Sequence, residues 1–383
     1  KKYPRLKWKH QKVSNQIRPR KWGYFFTLFC IDKASFCASL VPMTGFRKIY
    51  KHTLNKMFPI GNIVESLPYT MVFKTTNWCW YRCPHCCESA GADMPKEYIP
   101  ADVIESYVKQ ARQDTKFSRD LVLTGGEITS AYMHHSPDYV PKLLNMALDN
   151  ECAVDIKTNA GWVAAKNQTR EKIFNDLVGT LSAHSTSSFR VSPMQISLSL
   201  DRFHPHSLEK NTDFITEMSR RQKNSSCMIH VSSFDKDADM FRKLLDNLKK
   251  SGIAIQQLMV VGADSGDSLQ KLNNSFWSVG NNVILRLTTG TLFDGGRAKN
   301  MPDAYHTPAP QFSFISPGPT PTVLMAFDTF GSVTLGENSG RKIRTHWRNP
   351  DGTARPLADI RRDLVKQARK EEVRYNLETI KIT

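Results

Sequence analysis

Three cysteines, Cys79, Cys83 and Cys86, stand at spacings of four and three in the run Thr-Thr-Asn-Trp-Cys-Trp-Tyr-Arg-Cys-Pro-His-Cys that spans residues 75 to 86. Thiolates converging from one short loop can hold one metal centre. Structural zinc normally takes four protein ligands, often as two Cys-x-x-Cys pairs, and only one such pair is present here. A four-iron cluster on three thiolates leaves one iron open to a ligand that is not protein. On the cysteines alone both centres stay open, as does a set of unrelated buried thiols. Cys87, beside the third cysteine, reads as a packed thiol.

The elements that must position this loop follow a regular alternation. Strands are expected at residues 71–76, 120–124, 153–158, 195–200, 228–233 and 255–261. Helices are expected at 101–113, 136–150, 169–181, 208–221 and 239–250. Ser136-Pro137 supplies a start signal and Gly252 a stop signal. Such alternation calls for parallel strands joined by crossover helices, and six units in this length predict a partial (β/α)6 barrel. Chemistry in such folds gathers at the carboxyl ends of the strands, so the residues just after each strand carry the most information.

Gly125-Gly126-Glu127 follows the second strand, and Thr158-Asn159-Ala160-Gly161 follows the third. Ser199-Leu200-Asp201, then Phe203-His204, follows the fourth, and Gly296-Arg297-Ala298 lies further on. Singly, each has an ordinary reading: a turn, a plain loop, a helix cap with a satisfied surface histidine, a solvated arginine. Taken in order, with the C-x3-C-x2-C loop and aromatic His85 before its last cysteine, they resemble the radical S-adenosylmethionine superfamily over residues 71 to about 300. Two departures stand out: Ile128 replaces a usual proline, and Ala160 is inserted in a Thr-Asn-Gly turn.

The resemblance implies one 4Fe-4S cluster on Cys79, Cys83 and Cys86, with S-adenosyl-L-methionine on its open iron. It implies cofactor contacts from Gly125, Gly126, Glu127, Thr158, Asn159, Ser199, Asp201 and Arg297. Glu127 would meet the methionine ammonium, and Ser199 and Asp201 the ribose and carboxylate. An external one-electron reductant would drive cleavage of S-adenosylmethionine to a 5′-deoxyadenosyl radical, which abstracts hydrogen from substrate; most of that chemistry is the cofactor's. The Gly-Arg-Ala stretch is most similar to the peptide-modifying subgroup, so a peptide or protein is the expected substrate. No residue is assigned as catalytic.

Composition frames the rest. The chain of 383 residues carries a net charge of +17, of which residues 1–60 hold +13, with fourteen Lys or Arg and one acidic residue. Such an arm suits an anionic partner, a nucleic acid or an anionic membrane surface. Trp8, Tyr3 and Trp22 interleave with its charges, which favours radical modification of a nucleic acid as the rival reading. A non-catalytic iron–sulfur scaffold is the third. Eight cysteines in this length are too sparse for a disulfide scaffold and point to metal in a reducing, cytoplasmic compartment. The apolar stretch from Trp22 is broken by charge and too short to span a bilayer. It is read as a helical appendage packed on the barrel.

The expected domains are residues 1–66, 67–300 and 301–383. The last is a C-terminal α+β extension: six prolines between 302 and 321, strands at 322–327 and 332–335 around Gly331, and a basic helix at 356–375. No cysteine follows Cys227. The extension therefore resembles a degenerate SPASM or twitch module unable to ligate an auxiliary cluster.

Overall fold

The computed structural model describes residues 60–383, except 166, 185–191, 224, 261–271, 273, 281, 291–295, 302–314, 317–321, 336–342 and 381–383. The basic arm, the packed appendage and most of the proline-rich connector lie outside the described residues.

After helix α1 (Ile60–Ser66), strands and helices alternate: β1 (Tyr69–Lys74), α2 (Ala101–Gln113), β2 (Phe117–Thr124), α3 (Tyr139–Asp149), β3 (Ala153–Thr158), α4 (Asn167–Ala183), β4 (Met194–Ser199), α5 (Ser207–Arg221), β5 (Cys227–Phe234) and α6 (Asp239–Lys250). These bounds agree with the sequence expectations to within a few residues. Next come β6 (Ile255–Val260), β7 (Ser275–Val279), β8 (Val283–Gly290), β9 (Ile315–Ser316), β10 (Thr322–Phe327), β11 (Ser332–Leu335), β12 (Arg344–His346) and α7 (Leu357–Ile380).

Among the described residues, all twelve strands join one open sheet in the order β12-β11-β10-β1-β2-β3-β4-β5-β8-β7-β6, with β9 paired to β10 off this path. Strands β1 to β5 lie side by side and parallel, as the alternation requires. Alternate residues of each strand bury against the helices: Val154 and Ile156, Ile196 and Leu198, Ile229 and Val231 join one core with Phe174, Phe214, Phe241 and Leu244. At about 25 cal/mol per Å² of apolar surface removed from water, this packing is the main term holding the layers together.

The sixth parallel strand differs from the expectation. It is β8, which pairs with β5 along its whole length, whereas β6 is the outer edge and runs antiparallel to β7. The reason is polarity. A central strand needs buried apolar residues, which Val283, Leu285 and Leu287 supply. Gln256, Gln257, Leu258 and Met259 of β6 are all exposed. On the other side, β10 lies parallel to β1, and the β10–β11 hairpin turns at Gly331 with φ at +87°. The tail strands thus continue the main sheet, and Trp347 and Phe327 bury with Tyr107 of α2. Among the described residues, no helix is long and apolar enough to cross a membrane.

Candidate metal and cofactor site

The cysteine loop leaves the carboxyl end of β1 and is tied down from three sides. Gly126 N donates to Thr76 O at 2.6 Å, and Glu127 N to Trp78 O at 2.9 Å. Gly125 has φ at +126°, and a Cβ at either glycine would overlap the loop backbone, the carbonyl of Thr76 or of Trp78. These glycines admit the cysteine loop itself. Arg297 braces the far side: its backbone N donates to Cys86 O at 3.0 Å, its Nε to Cys83 O at 2.9 Å, and its Nη2 to Ala90 O at 2.5 Å. The third tie joins Lys210 Nζ of α5 to the Tyr81 hydroxyl.

Glu127 is fully buried and accepts four hydrogen bonds. Its donors are Thr129 N at 3.2 Å, Thr129 Oγ1 at 2.6 Å, Thr158 Oγ1 at 2.8 Å and Asn159 N at 2.9 Å. Burial pushes this carboxyl upward against the pull of those donors. The carboxylate thus joins the ends of β2 and β3, and its side chain is already spent within the protein.

Asn159 takes the same network to the cysteine loop. Gly161 N donates to its Oδ1 at 2.8 Å, which fixes the carboxamide, so Nδ2 donates to the Cys79 sulfur at 3.3 Å. Ala160 holds the turn at φ 54°, in the left-handed region. Burial pushes the Cys79 thiol up to about 12, with Glu127 adding to the shift, and raises Cys86 as well. Thiols so disfavoured as thiolates stay protonated until a cation replaces the proton. Two such sulfurs with Cys83 between them on one loop, one already addressed by an amide donor, fit a metal centre.

Around Cys83 the structure gathers two histidines to which the sequence reading gave no ligand or cofactor role. The Sγ of Cys83 and ring nitrogens of His85 and His204 lie within 4.8 Å of one another. His204, read as a surface histidine, has a side chain only 12% exposed. Its Nδ1 meets Asp201 Oδ2 at 2.7 Å. Burial works against its charge, but hydrogen bonds to Asp201 and Cys83 outweigh this and push its pKa up to about 10. Asp201 also accepts from Phe203 N at 2.9 Å and His204 N at 3.0 Å, so it both caps the turn and orients the imidazole. The Asp-x-x-His spacing was the available signal. Burial lowers His85 to about 4, and its Nδ1 has no hydrogen-bond partner among the described residues.

Beside the loop a cavity of about 290 Å³ opens at the ends of β4, β5 and β8, lined among others by His85, Cys87, Ser199, Asp201, Ser232 and Thr288. The expected site residues therefore divide. Cys79, Cys83 and Cys86 share the loop. Gly125, Gly126, Glu127, Thr158, Asn159 and Arg297 build and hold it, and Ser199 and Asp201 face the cavity.

No protein-family model matches the chain, and no curated protein matches it. Among solved structures it is similar to SuiB of Streptococcus suis bound to S-adenosylmethionine, at TM-score 0.40 and 15% identity, over 81% of this chain and 70% of that one. SuiB bound to precursor peptide SuiA gives TM-score 0.46 and 14% identity, over 90% and 79% of the two chains. Native anSMEcpe with bound AdoMet gives TM-score 0.31 and 14% identity, over 48% and 49%.

Proposed function

We propose that this chain is a radical S-adenosylmethionine enzyme acting on a peptide or protein, with a 4Fe-4S cluster on Cys79, Cys83 and Cys86. The observation that carries the reading is the cysteine loop itself, clamped at the strand ends with the Asn159 amide aimed at the Cys79 sulfur. Held by these three cysteines and reduced by an external donor, such a group would supply the electron for cleavage of S-adenosylmethionine to methionine and a 5′-deoxyadenosyl radical, which would take hydrogen from an unreactive carbon.

The protein's own residues hold and shield. Arg297 and the Gly125–Gly126 backbone keep the loop in place, while Ser199, Asp201 and the hydroxyls of Ser232 and Thr288 offer polar contacts for a cofactor in the cavity. His85 and Phe234 line the cavity and pack with Phe203, ring centroids 5.1 to 5.9 Å apart, an apolar wall on one side of the site. The peptide substrate is carried over from the Gly-Arg-Ala resemblance.

A second reading rests on the group of Cys83, His85 and His204, whose donor types suit a single zinc ion. The two differ in which cysteines matter. Anaerobic reconstitution followed by iron and sulfide analysis and Mössbauer spectroscopy separates them. About four irons and four sulfides per chain, lost in Cys79→Ala and in Cys86→Ala but kept in Cys87→Ala, supports the cluster. One zinc per chain that survives Cys79→Ala and is lost in His204→Ala supports the mononuclear site and overturns the proposal.

A further inference from the structure

The cavity wall continues downward as a row of polar residues that the cofactor reading does not use. Sheet register aligns Lys157 with Ser197, Ser197 with His230, and His230 with Arg286 across β3, β4, β5 and β8. Ser199, Ser232 and Thr288 of the cavity stand two residues further along the same strands. Side chains two apart share a face, so this row lies on the cavity side, one step below its wall.

Hydrogen bonds define the row's protonation. Ser197 donates its one hydroxyl proton to Asp155 Oδ1 at 2.6 Å, so its oxygen accepts from His230 Nδ1 at 3.3 Å. His230 Nε2 then accepts from the Thr288 hydroxyl at 2.6 Å. Burial first, then the charges of Arg286 and Lys157, lower His230 to about 4 and keep it neutral. Both cations are therefore close enough to act on the same ring.

Arg286 is the unusual member. Its guanidinium stacks 5.7 Å from the Phe276 ring centroid on β7, and its Nε is buried with no hydrogen-bond partner among the described residues. A buried donor without an acceptor is unfavourable until a partner arrives. An arginine held by an aromatic face beside a cavity, with a donor in hand, suits a planar anion that arrives from outside.

We propose that Arg286, with Lys157 in the same row, binds a carboxylate of the substrate, so that the enzyme acts on a peptide at or beside an acidic residue. This rests on the peptide-modifying reading above. The methionine carboxylate of S-adenosylmethionine is the other source of the same chemistry, and the two are distinguishable.

The test uses cluster-loaded protein with ¹⁵N-labelled histidine, the His230 resonance being assigned by its loss in His230→Gln. N-acetyl-glutamate N-methylamide, its glutamine analogue and S-adenosylmethionine are titrated separately. The glutamate probe is expected to shift the His230 signal saturably and the glutamine probe to leave it in place. Arg286→Gln should weaken glutamate-probe binding at least tenfold, while S-adenosylmethionine affinity stays within about threefold. Lys157→Met, which leaves the Arg286–Phe276 stack intact, should weaken the probe severalfold and serves if Arg286→Gln does not fold. Equal binding of both amide probes, or an unmoved His230 signal, overturns the inference. Loss of S-adenosylmethionine binding with retained probe binding in Arg286→Gln assigns the site to the cofactor and overturns it as well. A wild-type protein that binds the glutamate probe selectively yet neither holds iron nor binds S-adenosylmethionine would sink the proposed function while leaving the anion site standing.

Discussion

The side-chain amide of Asn159 donates to the sulfur of Cys79 at 3.3 Å, and the Gly161 amide, at 2.8 Å from the Asn159 carbonyl oxygen, decides which end of the carboxamide faces the sulfur. Glu127 holds the Asn159 backbone in turn. A residue that sequence reasoning gave to the cofactor is thus placed on a cysteine, and its role becomes measurable on the proposed cluster.

A hydrogen bond to a ligating sulfur favours the more negative, reduced state of a cluster and is one of the levers on its potential. Asn159→Leu is expected to keep the iron content and move the midpoint potential to a more negative value in an EPR-monitored redox titration. Asn159→Asp, similar in size but with a charge beside the thiolate, should move it further the same way. Iron content and potential both unchanged in the two variants would show that the amide does nothing to the sulfur.

Glu127 satisfies four buried donors, so Glu127→Ala strands them in a dry site. The expected loss is about 3 kcal/mol or more of unfolding free energy in urea. A variant within about 0.5 kcal/mol of the wild type would mean that the carboxylate is free to serve a ligand instead.

Arg297 donates two side-chain hydrogen bonds to carbonyls of the cysteine loop. Bonds from a charged donor contribute about 1.5–3 kcal/mol each, so Arg297→Gln should loosen residues 79–94 locally. Faster amide exchange there, with β2 and β3 unaffected, is the expected pattern in hydrogen–deuterium exchange. Unchanged protection of that segment would remove Arg297 from this role.

His230 gives a pH signature. Its pKa is lowered to about 4 in the fold, against about 6.5 in the unfolded chain. Below pH 6.5 the unfolded chain takes up a proton that the folded one refuses. The stability from this group is therefore complete above pH 6.5 and lost as pH falls towards 4, by a limiting amount of about 3 kcal/mol. His230→Gln should have a flatter stability profile than the wild type over that interval and a parallel one above it. Parallel profiles throughout would contradict the burial of a neutral ring.

The backbone frame was legible because a buried parallel strand and an amphipathic helix each leave a period in the sequence. Val154–Ile156 and Phe241–Leu244–Leu245–Leu248 announce themselves in this way. The cysteine spacing is local and equally plain. What was not legible is long-range. Nothing near Arg297 says that it will meet Cys83, 214 positions away, and nothing near Gly126 says that its missing side chain makes room for Trp78. The sixth parallel strand was misplaced for the same reason. Residues 255–260 have strand-like length, but only the sheet reveals that β8 takes the buried place beside β5. His204 was passed over because an isolated histidine after a helix cap is usually solvated, and its contact with Cys83 depends on how the cysteine loop folds over the β4 end.

The most direct measurement is product analysis on anaerobically reconstituted protein reduced in the presence of S-adenosylmethionine. The account predicts 5′-deoxyadenosine and methionine in equal amounts, released slowly without substrate and absent in Cys79→Ala, Cys83→Ala and Cys86→Ala. A protein that carries a full 4Fe-4S complement, confirmed by Mössbauer spectroscopy, and yet yields neither product and leaves the cluster's EPR signal unchanged by S-adenosylmethionine would contradict it.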